Sequence, residues 1–148
     1  MRPFMLSSRK KQHGFTMLEV LVSMIVIALG LLGYAGLQAA ALKNSNTAYL
    51  RSQATMLSHD IVERMRANRA VALAGNYNVA IGSAGGGGGV VGSDLTEWKR
   101  NLAQSLPAGD GAVAVAGVGA AQGQAQITIQ WDDDGDGTPT SFIMQTRL

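Results

Sequence analysis

The chain has no cysteine, which excludes disulfides and thiolate metal sites. Histidine is nearly as scarce: His13 and His59 are the only two, too few for a histidine-rich metal site. Three prolines occur in 148 residues, and none lies between Pro3 and Pro107. Nothing in that stretch forces a helix to stop. Charge is missing altogether from residues 20–42, a run of 23 residues. At about 1.5 Å per residue such a helix is long enough to cross a bilayer core.

A single carboxylate, Glu19, stands at the N-terminal edge of that run, and Arg9, Lys10 and Lys11 lie just ahead of it. A carboxylate at a membrane boundary is costly to bury and needs a partner. The run is too long for the apolar core of a signal peptide, and no clean small-x-small cleavage site follows it.

The order of these parts is specific. Gly14-Phe15-Thr16-Met17-Leu18-Glu19 after a short basic segment, followed by about twenty apolar residues, resembles the N-terminus of type IV pilins and type II secretion pseudopilins. The resemblance implies cleavage after Gly14 by a prepilin peptidase and N-methylation of the new terminus, Phe15. It also implies that Glu19 takes part in subunit docking. The new α-amino cation, four residues from Glu19 or on a neighbouring chain, offsets the cost of burying that carboxylate. Residues 57–68 are similar to the corresponding stretch of minor pilins of the PilV type. The absence of cysteine departs from the many major pilins that close a C-terminal loop with a disulfide.

Charge fits the same organisation. Without residues 1–14 the chain keeps 8 of its 12 basic residues against 10 acidic ones. A basic balance that vanishes with the leader argues against a nucleic-acid surface. The leader's cations read as a positive-inside signal that keeps residues 1–14 cytoplasmic and turns the segment after the helix to the periplasm; the resemblance implies a chain in the inner membrane before assembly and in the pilus, at its tip, afterwards. The expected division is a leader over 1–14, a transmembrane and filament-core helix over 15–42, and a globular head over 43–148.

Within the apolar run Gly30, Gly33 and Gly36 recur every three residues. They offer a close-packing face for another helix or a soft point in this one, at roughly 1 kcal/mol per glycine. In assembled pili of the family the matching segment, about residues 28–37, loses helical order. Beyond it, Leu50, Ala54, Leu57, Ile61 and Met65 form an amphipathic stripe, with Ser58 assigned outside it. Asp60 with Arg64, and Glu63 with Arg66, stand at ion-pair spacing. Gly75 is the expected stop, so one helix is predicted over about residues 16–73.

Residues 75–92 read as a loop whose five glycines, 85–89, make a flexible connector. No Gly-Lys-Ser/Thr follows, so a phosphate loop is discounted. Asp94, with Glu97 three residues on, is the expected N-cap of a short helix to about Ser105, with Leu95, Trp98 and Leu102 inward. Residues 112–115, 127–131 and 141–148 alternate like strands. The predicted fold is α+β: a long N-terminal helix packed on a small antiparallel sheet of three or four strands.

Two patterns invite chemistry. Ser58, His59 and Asp60 are consecutive on a helix and point about 100° apart, so they cannot form a relay. No enzyme is indicated. Asp132, Asp134, Asp136 and Gly137 match the opening of a calcium loop, but the twelfth position is Ile143 where a bidentate glutamate belongs. The competing reading is a charged hairpin tip with Asp-Gly turn chemistry.

The function the resemblance implies is a minor pilin that helps prime or cap a type IV pilus, serving pilus biogenesis, twitching motility or adhesion. The alternative is a minor pseudopilin of a type II secretion system. The expected partners are prepilin peptidase, other minor pilins, the major pilin and the inner membrane. No resident cofactor is expected unless the aspartate loop takes calcium. The cleavage expectation is checked by intact mass and N-terminal sequencing of envelope protein. The mature chain should begin at Phe15, and a terminus that keeps Arg9 to Lys11 would refute it.

Overall fold

A computed structural model of the chain describes residues 14–116 and 123–148. The expected leader cations Arg9, Lys10 and Lys11, with His13, lie outside the described residues. The element order is α1 (Met17–Ala67), α2 (Arg69–Leu73), α3 (Gly89–Ser105), β1 (Asp110–Val115), β2 (Gln124–Asp132) and β3 (Pro139–Arg147). This is the α+β architecture expected of a pilin-like chain: a long N-terminal helix and a three-stranded antiparallel sheet in the order β1-β2-β3. Contacts divide the chain into two units, Met1–Lys43 and Asn44–Leu148.

In the first unit α1 is apolar and shows no break at Gly30, Gly33 or Gly36. A Cβ at any of the three would meet nothing within 4 Å. Nothing among the described residues therefore requires glycine there.

The second unit is the head. From Leu50 to Met65 the stripe of α1 is buried at Leu50, Ala54, Ile61 and Met65, while Leu57 is only partly covered. Ser58, expected outside the stripe, is fully buried. Its hydroxyl donates to the Ala54 carbonyl at 2.8 Å, so it enters the core with its donor satisfied. The single predicted helix to residue 73 is interrupted at Asn68. There the backbone leaves helical geometry (φ −118°, ψ 45°), and the Asn68 carbonyl accepts the N–H groups of Val71 and Ala72 to start α2. Gly75 ends α2 as expected. At φ +82° it occupies the left-handed position of a Schellman cap, with its N–H on Ala72 O and the Asn76 N–H on Val71 O.

α3 starts six residues earlier than expected, at Gly89 and not after Asp94. Its inward residues are those predicted: Leu95, Trp98 and Leu102 are fully buried. The Trp98 indole N–H donates to the Leu57 carbonyl at 2.9 Å, joining α3 to α1. In the glycine run ahead of α3, Gly86 to Gly89 are exposed, and only at Gly85 would a Cβ be crowded. A Cβ on Gly85 would lie 2.6 Å from the Thr96 nitrogen, and one on Gly92 would collide with the Gly87 carbonyl. Glycine is used here for close backbone approach.

β1 and β2 bury their odd-numbered residues. Val113 and Val115, then Ala125, Ile127, Ile129 and Trp131, join the core formed with α1 and α3. On β3 the residues expected on one face, Phe142, Met144, Thr146 and Leu148, are the partly covered ones. Gly111 in β1 faces Trp98: a Cβ there would lie 2.5 Å from the indole and 2.7 Å from Leu102 Cδ1. Gly111→Ala should therefore cost about 1–3 kcal/mol by overpacking, and Trp98→Ala about 3–5 kcal/mol by leaving a cavity. Denaturant unfolding of the detergent-solubilised chain, followed by near-UV circular dichroism, measures both.

Candidate functional site

The N-terminal motif is built around a helix start. Thr16 precedes α1, and its hydroxyl accepts the Glu19 N–H at 3.3 Å. Its carbonyl accepts the same N–H at 3.0 Å and that of Val20 at 3.3 Å. Thr16 is thus the N-cap and Glu19 the third helical residue, the spacing of a capping box. Glu19 lies in the first turn of α1, where free N–H groups and the helix dipole favour negative charge. Gly14 is not demanded by the fold, because a Cβ on it would touch nothing within 4 Å. Phe15 beside it is 82% exposed.

Behind the motif the large side chains of the apolar run, from Val20 through Leu42, are all exposed. α1 is the one helix among the described residues long and apolar enough to cross a membrane, and none of that window is covered by the rest of the chain. Such a surface needs lipid or other helices around it.

Residues 9–35 match the prokaryotic N-terminal methylation motif, a match that contains Gly14, Phe15 and Glu19. Residues 36–84 match the type IV pilin Tt1218 family. The chain is a type IV pilin-like protein. Comparison with curated proteins and with solved structures finds no match to it. The pilin family is one of structural subunits, and the methylation motif implies processing by a prepilin peptidase and assembly with other pilins.

Four acidic residues of this pilin-like head, Asp132, Asp133, Asp134 and Asp136, sit at the tip of the β2–β3 hairpin. Asp132, Asp134 and Asp136 bring one carboxylate oxygen each within 4.8 Å of one another. Much of this is turn chemistry: Asp132 accepts the N–H groups of Gly135 (2.7 Å) and Gly137 (3.1 Å), and Asp136 accepts that of Thr138 at 2.6 Å. Gly135 and Gly137 both take positive φ, as the turns require. Ile143, at the twelfth position, lies in β3 and offers no side-chain oxygen. The neighbouring Asp133 ties the tip to α1, accepting the Thr47 hydroxyl at 3.0 Å.

Two further charge clusters hold the head, and only part of one was legible in the sequence. Arg64 bonds Asp60 at 3.1 Å, as its spacing predicts, and also Asp94 at 3.2 Å and Glu97 at 2.9 Å on α3. Asp94, expected as an N-cap, instead lies inside α3 and accepts the Tyr77 hydroxyl at 2.6 Å. Burial, then that hydrogen bond, pushes the Tyr77 phenol up. The hydrogen bond from Arg64 holds the Glu97 carboxyl below its usual range. The only sequence signal was the i,i+3 spacing of Asp94 and Glu97, which says nothing of a guanidinium across the interface. In the second cluster Lys99 meets Asp110 at 2.8 Å and also donates to the carbonyls of Ala80 and Ser83. Burial works against the Asp110 carboxylate, but Lys99 and the N–H groups of Gly82 and Gly111 outweigh it and hold the carboxyl low.

These shifts set a pH dependence. Carboxyls held low bind protons more weakly in the folded chain than in the unfolded one. They stabilise the fold fully above the ordinary carboxylate value of about 4, and that stability is lost as pH falls through their folded values. The melting temperature of the detergent-solubilised chain should therefore drop between pH 5 and 3 (roughly the carboxylate range). The drop should be smaller in Lys99→Met, which lacks the cation that favours ionised Asp110.

Proposed function

We propose that this pilin-like chain is a minor pilin, of the PilV type, that helps start or cap a type IV pilus. The observation that carries the reading is the uncovered apolar half of α1 with Glu19 in its first turn. A filament buries such helices side by side, and a carboxylate taken into that core is strongly penalised without a cation. On this reading the cation is the methylated amine of Phe15 on an adjacent subunit, produced by cleavage after Gly14. Pairing then selects the axial register at which subunits dock. The chain waits in the inner membrane with its head in the periplasm and ends in the pilus, at or near the tip. A small head without a disulfide suits a low-abundance priming subunit better than the bulk of a fibre. A minor pseudopilin would use the same N-terminal chemistry, so the two are separated by phenotype.

Deleting the chain should reduce surface pili by more than its few copies account for, while type II secretion continues. Glu19→Ala should leave cleavage and membrane insertion intact but lower the amount of the chain in sheared filaments several-fold. Normal piliation in the deletion strain, with the chain absent from filaments, would refute the assembly role. Lost secretion with normal pili would favour the pseudopilin. Wild-type incorporation of Glu19→Ala would refute only the pairing mechanism.

A further inference from the structure

The outer edge of β1 is closed. Val79 and Val113 exchange backbone hydrogen bonds of 3.0 and 2.9 Å, Asn78 Oδ1 accepts the Val115 N–H at 2.7 Å, and Asp110 Oδ1 accepts that of Gly111 at 2.7 Å. β3 pairs with β2 over nine residues and has no strand on its other side among the described residues. Its neighbour Leu148 gives its N–H to the Gly123 carbonyl at 2.8 Å. Leu148 therefore faces β2, and with a period of two so do Phe142, Met144 and Thr146. Pro139, Ser141, Ile143, Gln145 and Arg147 turn their backbone groups outward. The N–H and C=O groups of Ser141, Ile143 and Gln145 have no partner on that side among the described residues. No lysine, bulge or internal proline guards this edge, and Ile143 at its centre is 56% exposed. Such an edge is a template for another strand.

The irregular points of the edge lie at its two ends. Pro139 has no N–H to give. The Arg147 carbonyl is already taken, because Arg66 on α1 donates to it at 3.3 Å. An antiparallel partner centred on Ile143 sets residue 139 opposite residue 147. If that partner is a second β3, the missing donor of one copy falls opposite the carbonyl that Arg66 satisfies in the other. Ile143 then exchanges two hydrogen bonds with its own counterpart, and Ser141 does the same with Gln145 on either side. Each Arg147 N–H meets a Pro139 carbonyl, so every outward backbone group of the strand is satisfied. Moving the centre by one residue loses the match. Pro139 then stands opposite Gln145, whose carbonyl has no donor, or past the end of β3.

Charge selects the same pairing. Asp132, Asp133, Asp134 and Asp136 lie at the start of β3 and Arg147 at its end. Two antiparallel copies bring each Arg147 toward the aspartates of the other and set Ile143 against Ile143. Parallel copies would place aspartates beside aspartates and arginine beside arginine, which like charge opposes. We propose that the outer edge of β3 is a self-association edge, where two copies pair antiparallel about Ile143 and join their sheets into one of six strands. The contact is isologous, so it closes at two copies. It also covers the sheet edge that the described head leaves open. The inference uses residues of the head alone and does not rest on the pilus reading.

The chain has no cysteine, so introduced cysteines report the register directly. The test is mild oxidation of the full chain in its native membranes, followed by electrophoresis without reductant. Directly opposed residues of a hydrogen-bonded antiparallel pair have Cα atoms about 5.5 Å apart, within reach of a disulfide. Ile143→Cys should therefore give a disulfide-linked homodimer. Ser141→Cys and Gln145→Cys should each stay monomeric alone, because like positions then lie about 14 Å apart along the strands. Co-expressed, those two variants should link to each other. Arg147→Glu added to Ile143→Cys should lower the cross-linked fraction several-fold. The four side chains are exposed, so each variant should keep the near-UV spectrum of the head. A monomeric Ile143→Cys would overturn the proposal. So would self-linking of Ser141→Cys or Gln145→Cys to the same extent, or a cross-linked fraction that Arg147→Glu leaves unchanged. Hydrogen–deuterium exchange gives a second readout: slowed exchange over residues 139–147 in the membrane without the Ile143→Cys link means that a foreign strand holds the edge, and also overturns it.

Discussion

One helix serves two environments, and the rest of the molecule follows from that constraint. The N-terminal half of α1 carries apolar side chains on every side, and the described chain covers none of them. The C-terminal half is amphipathic and buries a single stripe beneath α3 and the sheet. A surface of the first kind is stable only in lipid or among like helices, whereas the second kind builds an ordinary core. Glu19 sits where the first environment begins. Thr16 caps the helix at that point, so the carboxylate is presented at a defined position on the first turn and not on a frayed end.

The head is small, and it depends on close approach and on a few ionic hubs. Trp98 is inserted between Leu57 on α1 and Gly111 on β1, and that position tolerates no larger residue. Gly85 ahead of α3 and Gly92 within it let backbone pass against backbone. Arg64 gathers three carboxylates from two helices, which fixes the angle at which α3 meets α1. Lys99 does similar work for the loop at residues 80–83, holding two of its carbonyls while pairing Asp110. Partly buried pairs of this kind contribute as much to a unique arrangement as to stability.

The two ends of β3 also carry the head's polarity. Aspartates cluster at its start, and Arg66 and Arg147 meet at its end. The same arrangement ties α1 along β3 at both ends, so chain direction, charge and the open strand edge are coupled in one element.

The sequence by itself determined the parts that depend on local order. The N-terminal motif, the uncharged run, the amphipathic stripe, the stop at Gly75 and the inward face of α3 all follow from periodicity and single-residue backbone preferences. The alternation of β3 and the i,i+4 pair of Asp60 with Arg64 are equally local. Tertiary structure alone decided what lies across an interface. It took Ser58 into the core, because a hydroxyl bonded to the i−4 carbonyl is cheap to bury. It moved the start of α3 back to Gly89 and converted Asp94 from a cap into a ligand of Arg64 and Tyr77. It also brought the backbone at Gly85 against α3, a close approach that the glycine run alone does not announce. Which sheet edge stays open was equally beyond the sequence, since strand order and the bridge from Val79 are long-range pairings. Spacing along a chain reports neighbours within one element, whereas partners between elements are set by packing that no short window contains.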